Sequence, residues 1–183
     1  MSLYYKIMKL SFLTLAILIA VPMFTFAQRG TQFIQISGQA SVPLGNLADI
    51  IKPGFGGAAK GVYGFSDKPQ SFTLEAGYNQ FGVKNIPSGA SAHYSSVPVY
   101  GGYRANLSGV VLEGQAGVAF NHIAGSGPGG NASADQTAFG WAFSAAYLYR
   151  SFELGLRYQR SEGAKDATVI SFLGVRLGYN FSL

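Results

Sequence analysis

The sequence has no cysteine, few charged residues and only two histidines. Charged side chains make up 11% of its 183 residues. Without cysteine the chain can form neither a structural disulfide nor a thiol-linked lipid anchor, although an oxidising compartment remains compatible with this composition. His93 and His122 are far apart in the sequence and give no metal-ligand spacing. No glycine motif for phosphate precedes a helical pattern, so we expect neither a metal site nor a cofactor.

Long apolar runs are also scarce, and the single one lies near the start of the chain. Residues 10–21 form that run, Lys6 and Lys9 precede it, and Ala27 closes a small-residue cleavage site. These are the three parts of a secretory signal peptide. The run is shorter than the ~20 residues that a transmembrane helix needs. We therefore expect residues 1–27 to be a signal peptide that is removed on export.

The mature chain, residues 28–183, has a small and scattered net charge. Loss of Lys6 and Lys9 leaves eleven basic and eight acidic residues, a net charge of +3. Such a charge does not support nucleic-acid binding, which needs a clustered basic surface. The length suits one domain. Because no second apolar run reaches the length of a helix, any further membrane span has to be built from strands.

What the chain does have is a period-two pattern, clearest from residue 167 to the C-terminus. In a β-strand alternate side chains point to opposite faces. One face would be apolar and interrupted only by Ser171; it would carry Val169, Leu173, Val175, Leu177, Tyr179, Phe181 and Leu183. The other face would be mostly small or polar, with Phe172, Gly174, Arg176, Gly178, Asn180 and Ser182. Such a strand separates an apolar environment from a polar one.

We interpret the mature chain as an all-β fold, an eight-stranded antiparallel up-and-down transmembrane β-barrel. Glycine (25 residues) and aromatic residues (14%) are abundant, as is typical of a lipid-facing wall around a filled interior. The predicted strands are Thr31–Ala40, Gly56–Phe65, Gln70–Phe81, Tyr94–Arg104, Gly109–Asn121, Gln136–Arg150, Phe152–Arg160 and Thr168–Leu183. Each is about as long as a tilted membrane strand requires. Pro98 inside the fourth strand predicts a bulge or a break in the ladder.

Three more of these strands have an apolar face that we assign to the lipid. The residues are Phe72, Leu74, Ala76 and Tyr78 on the third strand, Phe139, Trp141, Phe143, Ala145, Tyr147 and Tyr149 on the sixth, and Phe152, Leu154, Leu156 and Tyr158 on the seventh. Aromatic residues gather near the strand ends, as interfacial girdles do.

The connections between the predicted strands alternate in length, which predicts the orientation of the barrel. The short ones are Ser66–Pro69, Ala105–Ser108 and Arg150–Ser151; the long ones are Ser41–Phe55, Gly82–His93, His122–Asp135 and Ser161–Ala167. Outer-membrane barrels have short periplasmic turns and long extracellular loops. We therefore expect the four long segments to face outward from the cell, with Gly125–Asn131 as a flexible loop tip.

The predicted inward face is polar and carries both signs of charge. Its members are Gln35, Ser37, Gln39, Lys60, Glu75, Asn79, Arg104, Glu113, Gln115, Glu153, Arg157, Gln159 and Arg176. An eight-stranded barrel is only wide enough for side chains to fill it, and unpaired charges in that space are costly. We therefore expect a plugged, ion-paired interior, with pairing across adjacent strands, and not an open pore.

These features resemble the small bacterial outer-membrane β-barrel superfamily that includes OmpX and the OmpA barrel, and in particular its compact "outer membrane protein beta-barrel domain" members. The resemblance rests on Ser37–Gly45, Ser96–Tyr103, Gly178–Phe181 and the apolar C-terminal strand, which ends here in Leu183 where the family usually has Phe. It implies an outer-membrane location, no active site, and a structural or surface-interaction role. The partners implied are outer-membrane lipid and lipopolysaccharide, the barrel-assembly machinery through the last strand, and an unidentified surface or envelope protein.

Two other functions remain open on the residues alone. Some barrels of this size deacylate lipid A or transfer its acyl chains with a Ser nucleophile and a His base, and His93 and Ser95 have the spacing of such a pair. We nevertheless expect no catalytic residues, because a His-x-Ser match arises easily by chance. The other alternative is an exported, soluble, lipocalin-like barrel in which the aromatic faces line a cavity for an apolar ligand.

Overall fold

The computed structural model describes residues 32–45, 47–65, 69–128, 130–162 and 169–183. The expected signal peptide lies outside these residues. Within them, no helix has the length and apolar character needed to cross a membrane.

Eight antiparallel strands form a closed barrel in which each strand pairs with its neighbours in sequence and β1 pairs with β8. The strands are β1 (Gln32–Pro43), β2 (Ile51–Gly64), β3 (Gln70–Val83), β4 (Ser91–Leu107), β5 (Val110–Gly127), β6 (Gly130–Tyr149), β7 (Phe152–Glu162) and β8 (Ile170–Ser182). A four-residue helix, α1 (Leu47–Ile50), lies between β1 and β2. The predicted number, order and direction of the strands are confirmed.

The strand register defines the tilt of the wall. Successive partners starting from Phe33 are Val62, Thr73, Gly102, Gln115, Ala142, Gln159, Phe172 and finally Pro43. One circuit therefore returns to β1 ten residues beyond its start, from Phe33 to Pro43. For eight strands with a rise of about 3.3 Å per residue and a spacing of about 4.8 Å, this stagger corresponds to a tilt of about 40°.

The alternation of side chains places the apolar residues outside the barrel. On β6 and β7, Phe139, Phe143, Tyr147 and Leu154 are each about half exposed. This contradicts the lipocalin-like alternative, in which the aromatic face of β6 would line an internal cavity. The physical reason is that the opposite face carries the buried ion pairs described below, so this face is the one available to lipid.

An apolar cluster closes the lumen at the end where the long connections lie. Its members are Leu47 of α1 with Ile51, Phe81, Tyr94, Ile170 and Phe172 from the strands. The ring of Phe81 lies 5.1 Å from that of Phe172 and 5.8 Å from that of Tyr94. The inward side chains of this end therefore pack against one another and α1 covers them.

The predicted loop His122–Asp135 is wrong. These residues continue β5 and β6 as a paired hairpin whose last pair is Gly127 with Gly130. Gly, Ala and Ser dominate this segment, so its two faces show no contrast in polarity and period-two alternation cannot be detected. The backbone of Gly130 has φ of +118°, a conformation that favours glycine at the end of the hairpin.

Pro98 lies where the ladder is interrupted, as predicted. The pairing of β3 with β4 runs to Ala76 and Val99 and resumes at Asn79 and Ser96. Proline has no N–H to donate to the neighbouring strand. The pairs between these two positions are therefore absent from the ladder, while β4 stays continuous.

Candidate functional sites in the lumen and at the rim

The lumen contains every residue that the sequence predicts to point inward. All thirteen predicted inward residues are at most 9% exposed. Four cationic and three anionic side chains lie among them: Lys60, Arg104, Arg157 and Arg176, and Glu75, Glu113 and Glu153. The interior of the barrel is thus polar, charged and buried.

Glu75 of β3 is the most heavily paired anion in the lumen. Arg176 of β8 donates from Nη1 to Oε2 at 2.7 Å and from Nη2 to Oε1 at 3.1 Å. Nη2 of Arg157 lies 3.2 Å from Oε1, and Nζ of Lys60 lies 3.7 Å from Oε2. Three cations from three strands therefore surround one carboxylate, a geometry that compensates the cost of burying it.

The other two carboxylates each have a strong partner. Nζ of Lys60 lies 2.6 Å from Oε2 of Glu113, and Thr73 donates to Oε1 of the same carboxylate at 2.8 Å. Arg104 donates to Glu153 through both terminal nitrogens, at 3.1 Å and 2.5 Å. Arg104 and Glu153 thus form a bidentate pair, in which two parallel charged hydrogen bonds add strength and fix the geometry.

The strongest of these pairs cross the lumen, whereas the sequence predicts pairing between adjacent strands. Lys60 and Glu113 join β2 to β5, and Arg104 and Glu153 join β4 to β7. The adjacent-strand contact of Arg104 with Glu113 is longer, at 3.9 Å. Long side chains span this narrow interior, so opposite walls are better partners than neighbouring strands, where side chains point in parallel.

Amide side chains complete the network. Gln39 accepts hydrogen bonds from Nε and Nη2 of Arg176 and donates to Asn79 at 2.6 Å. Gln115 accepts from Arg157 and donates to Glu113 at 2.9 Å. A cavity of about 10 Å³ lies beside Lys60 and the arginines, room for at most one water molecule. The charged level of the lumen is therefore filled by side chains.

Tyr100 of β4 lies beside this network and is fully buried. Its ring lies 5.9 Å from the guanidinium carbon of Arg157, and a Cβ on Gly140 of β6 would overlap its hydroxyl group. Tyr100 is not among the residues predicted to point inward, although alternation from Arg104 along β4 would have placed it there.

At the rim where the long connections lie, His93 and Ser95 share one face of β4, as predicted, but His93 is exposed, Ser95 is buried, and the structure does not pair them. No hydrogen bond joins them, and no carboxylate contacts His93 among the described residues. The histidine with a carboxylate partner is His122, whose Nδ1 lies 2.6 Å from Oδ1 of Asp135. Ser95 lies directly opposite His122 in the ladder of β4 with β5. Only the strand register reveals this arrangement.

The β5–β6 hairpin extends beyond the rest of the rim. Pairing of β6 with β7 begins at Phe139 and Glu162, whereas pairing of β6 with β5 continues to Gly130. Residues 130–138 pair with β5 along one edge, and no described strand pairs with their other edge. At about 3.3 Å per residue this free edge is about 30 Å long.

Comparison with known proteins identifies the family. The family model described as "Outer membrane protein beta-barrel domain" matches residues 12–181. The chain belongs to this family. The family match and the closed barrel together show a protein of the cell outer membrane, whose apolar wall faces lipid.

Solved structures show the same fold at low sequence identity. Ail, the attachment invasion locus protein of Yersinia pestis, is 18% identical, with a TM-score of 0.61 over 84% of this chain and 100% of that chain. The N-terminal β-barrel domain of Pseudomonas aeruginosa OprF is 15% identical, with a TM-score of 0.60 over 84% and 100%. Neisserial surface protein A is 15% identical, with a TM-score of 0.55 over 83% and 97%. A search of curated proteins gave no significant match.

Proposed function

We propose that this outer-membrane barrel is non-conducting and has a structural and surface-interaction role, with the β5–β6 hairpin as its interacting element. The observation that carries the proposal is the edge of β6 at residues 130–138, with which no described strand pairs. A strand edge presents a row of N–H and C=O groups that can pair with another extended chain. This role requires no catalysis.

The composition of the hairpin suits recognition through the backbone. Its far end is built from small, exposed residues, and its only charged member is Asp135. Side chains this small offer few specific contacts, so binding would come from main-chain hydrogen bonds, as in strand addition. The occupant we propose is an extended segment of a surface or envelope protein.

The names of two proteins with the same fold support a role at the cell surface. Ail is described as an attachment invasion locus protein, and another relative in structure as Neisserial surface protein A. We further propose that lipopolysaccharide and phospholipid contact the outer wall, that the barrel-assembly machinery recognises the last strand, and that residues 1–27 are removed as a signal peptide.

Strand addition can be tested with the barrel in lipid nanodiscs and a labelled synthetic peptide. The peptide copies residues 120–127, the natural partner of β6 on its other side, and binding is followed by fluorescence anisotropy. We expect saturable binding to the wild-type barrel and none by a scrambled peptide. Absence of saturable binding would contradict the proposal.

A matched pair of proline variants tests whether the peptide binds at this edge of β6. In a strand, successive N–H groups point to opposite sides, so Ser133→Pro and Ala134→Pro each remove one donor, one toward β5 and the other toward the free edge. We expect the variant that loses the free-edge donor to bind the peptide more weakly. Equal binding by both variants and the wild type would show that the edge is not the site.

A further inference from the structure

Four polar side chains lie in one row across the outer wall, on four successive strands. The register places Gln80 of β3 opposite Ser95 of β4, Ser95 opposite His122 of β5, and His122 opposite Asp135 of β6. Directly opposed residues in antiparallel strands project from the same face with Cβ atoms about 5 Å apart. The lumen-facing neighbours alternate with them, so the row faces outward.

Asp135 orients His122 within this row. The carboxylate accepts a hydrogen bond from Nδ1–H, at 2.6 Å, which leaves the lone pair of the neutral imidazole on Nε2. Among the described residues, Nε2 has no partner. A carboxylate on Nδ1 is one of the two relations that activate a serine nucleophile, and the other is a serine within reach of Nε2. Ser95, buried at 9% exposure, is opposite His122 in the ladder but makes no hydrogen bond to it in this structure; such catalytic hydrogen bonds often form only when substrate is bound.

The row lies next to lipid-facing residues. One step further from the rim, Val97 opposes Phe120, and both are exposed on the outer wall. An open groove of about 470 Å³ is lined by Gln80 together with Phe55, Tyr78 and His93. An amphiphile could lay an apolar chain in this groove and present its polar linkage to the row.

We propose that Ser95, His122 and Asp135 hydrolyse the carboxylic ester of a long-chain acyl lipid in the outer leaflet. Gln80, on the other side of Ser95, donates its side-chain amide to the oxyanion. This activity goes beyond the proposed surface-interaction role and assigns the base to His122, in place of the His93 expected for a hydrolase from the sequence.

The hydrolysis of the ester needs no reactant other than water. Oγ of Ser95 bonds to the ester carbon and its proton passes to Nε2 of His122. The bond between that carbon and the alcohol oxygen then breaks, and His122 returns the proton to the leaving alcohol. Water, deprotonated by His122, attacks the acyl-serine, and Oγ leaves with the proton. The products are a free fatty acid and an alcohol.

The test uses the full barrel refolded in detergent, with two substrates assayed separately. One is dilauroylphosphatidylcholine in mixed micelles and the other is purified lipopolysaccharide; released fatty acid is quantified by mass spectrometry. Release from one substrate alone identifies the source of the ester, and release from both indicates a site that tolerates either headgroup. Absence of release from both, together with no adduct of a fluorophosphonate probe on Ser95, overturns the proposal.

Variants separate this site from contaminating activity. We expect Ser95→Ala and His122→Ala to abolish release, Asp135→Asn to lower its rate by about 10²–10⁴-fold, and Gln80→Ala to lower it by about 10²–10³-fold. Ser91→Ala, at an exposed serine on the same face of β4 as Ser95, is the control and retains the wild-type rate. Release that survives in Ser95→Ala, or that depends on His93 and not on His122, contradicts the assignment. Heat-modifiability on a gel confirms that each variant is folded.

Discussion

Arg104 of β4 and Glu153 of β7 bind each other across the lumen through two hydrogen bonds, at 3.1 Å and 2.5 Å. Both side chains are almost completely buried. The pair connects opposite walls of the barrel, so it constrains strands that share no ladder.

Removal of one member of this pair should destabilise the barrel strongly. In Glu153→Gln the guanidinium of Arg104 loses its charged partner while it remains buried, and such losses cost about 3–5 kcal/mol. Urea unfolding in lipid vesicles measures the change. The double variant Arg104→Met with Glu153→Met has no buried charge at this position and should recover most of the loss. Equal stability of the single variant and the wild type would contradict the pairing.

Gly140→Ala should destabilise the barrel by about 1–3 kcal/mol, because the added methyl group would overlap the ring and hydroxyl group of Tyr100. The hydroxyl oxygen is the nearest atom, so Tyr100→Phe in the same chain should recover part of the loss. Gly61→Ala is the matched control, since a Cβ there meets no atom within 4 Å. A control as destabilising as Gly140→Ala would show that the effect comes from glycine replacement in general.

The filled lumen predicts that the barrel conducts no steady ionic current. The ion pairs and the apolar cluster around Phe81 occupy the interior at two levels. Planar-bilayer recordings with the refolded protein should show no stable, large single-channel conductance. Regular openings at every applied voltage would contradict a plugged interior.

A charge on the lipid-facing wall should destabilise the barrel according to its depth. Leu156, 54% exposed, lies midway along β7, so Leu156→Lys should cost about 2–4 kcal/mol. Val110, at the first position of β5, is similarly exposed, and Val110→Lys should cost at most about 1 kcal/mol because the ammonium reaches the interface. The two variants are compared by unfolding in vesicles; equal costs would contradict the depth assignment.

Much of this fold could be predicted from the sequence because its alternation is strong. Every assigned inward residue is buried, since in β1, β3 and β7 polar and apolar side chains alternate clearly. The β5–β6 hairpin could not be predicted, because Gly, Ala and Ser give no contrast between its faces. Helix α1 is too short to produce a helical period.

The residues of the two candidate sites could not be grouped from the sequence alone, because their proximity depends on barrel closure and on the register between strands. Alternation identifies the face of Glu113, but only the closed barrel shows that Lys60 reaches it across the lumen. In the same way, Ser95, His122 and Asp135 are recognised as neighbours only once the register of β4, β5 and β6 is known. Sequence spacing favoured His93 because it is near Ser95 along one strand.

The ion pairs across the lumen also bear on how the barrel assembles. Arg176 and Glu75 are 101 residues apart in the chain, so the last strand must arrive before the two hydrogen bonds between them form. A partly assembled sheet would carry several uncompensated charges, which water solvates and hydrocarbon does not. Such a sheet should stay at the aqueous surface of the bilayer. Entry into lipid and ring closure are therefore expected to occur as one concerted event.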